Sequence, residues 1–255
     1  MGYVLTIANQ TLTEARRNRV FYSVFLFALI VILNAVVFTE VTSTTMDRVL
    51  KDVGLAAINV FALALTIFTG VGIINREIDR KSIYTVLAKP ISRFGYILGK
   101  YLGLLTIILA TSTIMFVGLL LVMKGYKTEI RAGIFLGFFG ILLEVVVLGA
   151  IAVLCSSFTT SFVSAFICAA VYISGHLSPE FLRAARKADS AVGRIAGETI
   201  YYLLPNLERF NLKYQATYDL TISGAALATV VTFALAYASA ALMGAVIIFG
   251  RRDFR

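Results

Sequence analysis

Few residues in this sequence have the chemistry to act on anything, and each sits in apolar surroundings. Glu144 lies in the run ILLEVVVLGA with no charged neighbour. A carboxylate near the centre of a bilayer-length helix costs about 2.5–3.5 kcal/mol on insertion scales. Glu144 must therefore face other helices or a wet cavity, or carry a proton. It is either a translocation-path or proton-linked residue, or a protonated carboxyl hydrogen-bonded inside the bundle. Asn34 and Asn59 pose the same problem more mildly and read as helix–helix hydrogen-bonding residues. His176 is the only histidine. It has no ligand-spaced partner, no H-E-x-x-H is present, no Ser-His-Asp constellation is readable from one histidine, and it is expected at the outer end of the fifth apolar run as an interfacial polar residue. Cys155 and Cys168 read as small packing residues, with neither metal-ligand spacing nor a disulfide framework. No catalytic residue and no metal site is predicted.

The densest polar stretch is NREIDRKSIYTVLAKPISRFGYILGK, residues 75–100, which holds six Lys/Arg and two acids between hydrophobic runs. Residues 74–89 fit a helix with Ile74, Ile78, Val86 and Leu87 near one face, and Glu77 and Lys81 are spaced for an i,i+4 ion pair. Pro90 stops it, and Ser92 is placed to cap the next helix. The result is a helix–break–helix elbow. Its end, Gly95-Tyr96-Ile97-Leu98-Gly99-Lys100-Tyr101, is a near miss to a phosphate-binding loop: only three residues separate the glycines, and Tyr101 replaces the Ser/Thr. Gly95, Gly99 and Gly103 instead form a small-x-x-x-small face for close helix packing, as do Gly133 and Gly137 further on.

These elements belong to a membrane protein. The chain has 255 residues, is 59% hydrophobic and only 15% charged, with a mean hydropathy of +0.89. Charged content that low is far from a soluble domain. Six apolar runs reach bilayer length, at about 20–38, 55–74, 97–123, 132–155, 160–176 and 224–249. Continuous runs mean helices rather than alternating barrel strands, so the fold class is an all-α integral membrane protein organised as one transmembrane domain over residues 1–255. The first run follows Arg16, Arg17 and Arg19 and lacks a cleavage pattern, so it reads as a retained span. The net charge of +9 carries no basic–aromatic stripe for nucleic acid. With the N-terminus inside, the inner segments carry twelve Lys/Arg and four acids, concentrated beside span ends, while the outer basic residues are spread over a long loop. Both termini are therefore expected in the cytoplasm.

Two further helices are expected outside the spans. Val4, Ile7, Ala8, Leu12 and Ala15 make residues 2–17 an amphipathic interfacial helix. In the outer segment 177–223, Ser178-Pro179-Glu180 reads as a helix start. Leu182, Ala185, Val192, Ile195, Ala196, Thr199 and Leu203 then form one stripe, ending at Leu204-Pro205-Asn206.

The elbow also resembles the first cytoplasmic loop of ABC-2-type transporter permeases. The matching residues are Glu77, Arg80 or Lys81, Leu87, Pro90, Ser92, Arg93, Tyr96, Gly99 and Lys100. ANQTLTEARRNRVFY, LPNLERFNL and FGRRDF resemble other segments of that family, closest to the subgroup with the nitrous-oxide-reductase-maturation permease. The resemblance implies a six-span subunit in a prokaryotic cytoplasmic (inner) membrane, paired with a second permease copy in a homodimer or heterodimer. It implies two separate ABC ATPase subunits below, which bind the ATP and Mg, and a coupling helix between spans two and three. Glu77, Arg80, Lys81, Pro90 and Arg93 would be the ATPase-coupling residues, and the turn SSFTTS (156–161) would face the same side. ATP-driven export or force transmission would follow. The long, charged outer loop points to a periplasmic or surface partner. The alternatives are an ATP-independent channel or secondary transporter, and a membrane scaffold for a maturation factor.

Overall fold

A computed structural model describes residues 6–11, 13, 22, 26, 46–79, 92–187, 190–218, 220 and 222–251. Among the described residues every regular element is helical: α1 (Met46–Gly70), α2 (Asn75–Asp79), α3 (Arg93–Gly125), α4 (Ala132–Phe158), α5 (Ser161–Lys187), α6 (Ala191–Leu203), a 3-10 turn (Leu207–Phe210), α7 (Lys213–Thr217) and α8 (Gly224–Arg251). Among the described residues, five stretches are long and apolar enough to cross a bilayer: Asp47–Glu77, Arg93–Gly125, Ala132–Phe158, Ser161–Lys187 and Gly224–Arg251. The predicted first span, 20–38, lies outside the described residues except for Tyr22 and Leu26.

α4 is the hub because it is apolar on every side. It packs against α1, α3, α5, α7 and α8, as an all-round hydrophobic helix must. Small residues set the closest approaches. Ala234, Ala238, Ala241 and Ala245 are the buried stripe of α8, and a Cβ on Gly244 would meet Leu154 of α4 at 3.4 Å. A Cβ on Gly70 of α1 would meet that of Ala152 at 2.8 Å. The lipid-facing sides of α5 and α8 expose Phe162, Phe166, Ile173, Leu235, Met243 and Ile247. Of the predicted N-terminal helix, residues 6–11 and 13 are described and helical. That turn packs on α3 at Gly103, where a Cβ would lie 2.6 Å from Thr11 and 2.7 Å from the Ala8 carbonyl. Gly103 thus accommodates a short helix rather than another span.

The outer region departs from the sequence reading. α5 does not stop near residue 176; it continues to Lys187 with Pro179 inside it. Ser178 is buried, and its hydroxyl finds no hydrogen-bond partner, so it caps nothing. The interior proline lacks the N–H that would bond the Gly175 carbonyl, and its ring crowds that carbonyl; the turn is helical nonetheless, with Gly175 packed against Pro205 and Leu207. The single stripe expected over 182–203 is two helices. α6 has its own N-cap, with Ser190 Oγ accepting from Gly193 N at 3.1 Å, and it folds back on α5 where Gly197 meets Ala185.

After α6 the chain turns into the bundle. Residues 205–217 lie against α4, α5 and α1, and glycines make room for them. Gly175 faces the Pro205 carbonyl and Leu207, each 2.7 Å from a would-be Cβ. Gly140 faces the Phe210 carbonyl. Gly137 faces Ala216 and Leu55, each at 2.8 Å. Gly140 is eight residues into α4, so the segment reaches roughly 12 Å down that helix. Gly137 therefore packs against a re-entrant segment as well as a span. Gly133, Gly95 and Gly99 are buried on their helices.

Candidate functional site

Two buried polar centres lie in opposite halves of the bundle. The first forms where α1 gives way to α2. The chain turns at 71–74 and is tied to the α4–α5 turn: Ile74 N donates to Ser156 Oγ at 3.3 Å, and Asn75 Nδ2 donates to the Thr159 carbonyl at 2.8 Å. Arg76 folds back so that its guanidinium donates to the Phe68 carbonyl at 3.2 Å, a cation at the carbonyl end of α1. One residue on, Glu77 points inward. Its Oε1 accepts from Lys100 Nζ at 2.6 Å and its Oε2 from the Tyr96 hydroxyl at 2.6 Å. Glu77 is 6% exposed and Lys100 1%. A buried pair of this kind holds only when the remaining lone pairs are bonded, and here both carboxylate oxygens are.

α3 is positioned for this by its own cap. Ser92 Oγ accepts from Gly95 N at 3.1 Å, as the sequence predicted, which sets Tyr96 and Lys100 on one face one turn apart. Tyr96 also stacks on Phe249 of α8 with ring centroids 5.2 Å apart, and Arg93 donates to the Phe249 carbonyl at 2.7 Å. The centre thus joins α2, α3 and the end of α8. Of the predicted coupling residues, Glu77 is internal, Arg93 is exposed and bound to α8, and Arg80, Lys81 and Pro90 lie outside the described residues.

The second centre surrounds Glu144, which is 2% exposed. Its Oε1 lies 2.8 Å from His176 Nε2, and His176 Nδ1 lies 2.9 Å from Glu208 Oε2. Asn211 Nδ2 donates to the other Glu208 oxygen at 2.8 Å. With the Asn59 amide turned to satisfy both neighbours, its nitrogen is 3.3 Å from Glu144 Oε2 and its oxygen 2.8 Å from Lys213 Nζ. Next to it the Thr217 hydroxyl donates to Asp52 of α1. Burial pushes the Lys213 ammonium below the usual lysine range, while the Glu144, Glu208 and Asp52 carboxylates work the other way. α1, α4 and α5 supply Asn59, Glu144 and His176; the re-entrant segment supplies Glu208 and Lys213.

Sequence reasoning found Glu144 and Asn59 but placed His176 alone at an interface. It read no role for Glu208 and Lys213. The available signal was LPNLERFNLK, where charges interrupt an apolar stretch just before the last span. Toward solvent, Asp47, Arg48, Lys51, Glu129, Arg131, Thr217 and Tyr218 line a cavity of about 230 Å³.

Among the described residues, five long apolar helices mark a multi-pass membrane protein. The family model for ABC-2 family transporter proteins matches residues 5–174, and the chain belongs to that family. No curated protein matches it.

Proposed function

We propose that this chain is the permease subunit of an ABC transporter. It pairs with a second permease copy and couples ATP hydrolysis by two separate ATPase subunits, which hold ATP and Mg, to export or to force transmission across a prokaryotic inner membrane. Both termini are cytoplasmic. Membership of the ABC-2 family supports this reading, as does the sequence resemblance to the nitrous-oxide-reductase-maturation subgroup.

The observation that carries it is the convergence of Glu77, Tyr96 and Lys100. All three come from the elbow motif, yet they are 19 and 23 residues apart. An ATPase that moves the intervening segment, through Arg80, Lys81, Pro90 and Arg93, acts on a loop both of whose ends are fastened to each other. The ends then move together, and α3 and α8 follow. Glu77 serves in this scheme as an internal brace, not as a surface contact. Glu144 lies further along the same bundle and lines the path of cargo or protons. The charged outer region is the face offered to an external partner.

The test is co-expression with an ABC ATPase encoded nearby, followed by purification through the permease and reconstitution. The ATPase subunit should co-purify, and its turnover should respond to the permease. Glu77→Gln should keep the complex but uncouple turnover from the permease, and Glu144→Gln should change turnover or flux. Flux supported by the chain alone would overturn the proposal in favour of a channel. ATP turnover with no cargo movement would leave a scaffold.

A further inference from the structure

His176 bridges two carboxylates, and proton counting gives that bridge a consequence. Its two ring nitrogens lie 2.8 Å from Glu144 Oε1 and 2.9 Å from Glu208 Oε2. Each contact is a hydrogen bond only if a proton sits in it; without one, a nitrogen lone pair would face an oxygen lone pair. The bridge therefore holds a proton in each of its two contacts, one more than a neutral imidazole between two carboxylates provides. We propose that Glu144, His176 and Glu208 form a proton-binding latch that holds the re-entrant segment 205–217 in the bundle.

The bridge is one of several fastenings of the segment. Among the described residues its other polar attachments include Lys213 to Asn59, Thr217 to Asp52 and Arg209 over the Phe233 ring; its backbone rests on Gly137, Gly140 and Gly175, and Leu207, Phe210, Leu212 and Ala216 are its buried apolar anchors. Glu208 is the one carboxylate of the bridge carried by the segment, so losing the His176–Glu208 bond loosens its first half against the apolar anchors that remain. The groups facing His176 are Glu144 from α4, Glu208 from the 3-10 turn and, on its own helix, Tyr172 at a ring-centroid distance of 4.7 Å. Lys213 of α7 and Asp52 of α1 lie beyond them. With His176 as an imidazolium and Lys213 charged, the two cations balance Glu144 and Glu208. Removing one proton leaves two carboxylates with one cation between them in a site walled by apolar helices.

The direction follows from linkage. The closed latch binds one proton more than a released segment with a neutral histidine, so raising the pH favours release. Lys213 opposes this, because burial disfavours its ammonium and its loss of a proton relieves that cost. The latch rests on this geometry and does not depend on coupling to an ATPase.

The test uses the full chain in lipid nanodiscs, with hydrogen exchange read on peptides covering 205–217 and corrected for the intrinsic pH dependence of exchange. Between about pH 6 and about pH 9.5, a range that spans an ordinary histidine, protection there should fall about tenfold or more, as loss of a charge-assisted hydrogen bond implies. Protection of α8 should stay constant. His176→Gln should lower protection at the acid end and remove the fall, which also separates the histidine from Lys213. Should that variant fail to fold, Glu208→Gln changes the half-exposed end of the bridge and should likewise flatten the profile. Wild-type protection that is flat over the range, or a full fall retained in Glu208→Gln, would overturn the latch.

Discussion

The two buried carboxylates, Glu77 and Glu144, are satisfied in different ways. Glu77 has a lysine on one oxygen and a tyrosine hydroxyl on the other, both from one turn of α3. Its partners arrive on a single long helix whose start is capped by Ser92 and clamped to α8 by Arg93. No histidine takes part. Glu144 is bonded to a histidine and an asparagine from two other helices, and the histidine leans in turn on a short 3-10 turn. The Glu77 centre is thus a brace whose parts are held independently of it. The Glu144 centre is conditional, because its histidine makes both contacts only with a proton in each and one of those contacts runs to a short 3-10 turn. Two charges of the same kind, each nearly inaccessible, acquire different mechanical characters from what carries their partners.

Substitutions can separate the two. The largest effect is expected at the brace: Glu77→Ala leaves the Lys100 ammonium buried without its carboxylate and should cost about 3–5 kcal/mol. Adding Lys100→Met should recover most of that, since an apolar pair avoids the stranded charge. Thermal unfolding of the purified protein in detergent measures both, and exchange over 205–217 should not change. If the double variant is no more stable than the single, the two residues are not a coupled pair and the contrast loses its Glu77 half.

A smaller effect, on the Glu144 centre alone, is expected from Gly140→Ala. The new Cβ would meet the Phe210 carbonyl, a backbone group that cannot rotate away, at a cost of about 1–3 kcal/mol. Exchange over 205–217 should accelerate while peptides around Glu77 and Lys100 stay protected. Acceleration at both centres would mean that they are one cooperative unit. The smallest effect is expected from Ser190→Ala, which removes the cap of α6 and should cost about 1 kcal/mol. It should fray only the first turn of that helix. A change in the pH profile of 205–217 in this variant would show that α6, not the bridge, governs the segment.

Much of this was legible without coordinates. Glu144 stands out because a charge in an unbroken apolar run has few acceptable environments. Ser92 reads as a cap because capping is decided within four residues. The proline at 179 shows the limit. Ser-Pro-Glu has the same local chemistry at the first turn of a helix as inside one, and what distinguishes them is whether the preceding turn is held helical. Here it is, with Gly175 pressed against Pro205 and Leu207, a contact some thirty residues away in the chain. The sequence marked the motif glycines but not what would approach them: Gly103 receives the N-terminal turn and Gly137 the re-entrant segment.

By itself, then, the sequence determined that this is a helical membrane protein, where its described spans lie to within several residues except at the start of α1 (Met46) and the end of α5 (Lys187), and which of its charges would be costly. Those properties follow from hydropathy and from capping rules that act over a turn or two. Only the tertiary structure decided that Glu77 turns inward to Tyr96 and Lys100, that the lone histidine sits between two carboxylates, and that residues 205–217 return into the bundle. The reason is physical. A buried charge must find partners, but the chain can supply them from any helix that packs close enough. Among apolar helices, that choice is made by small residues and shape, which leave no periodic mark in the sequence.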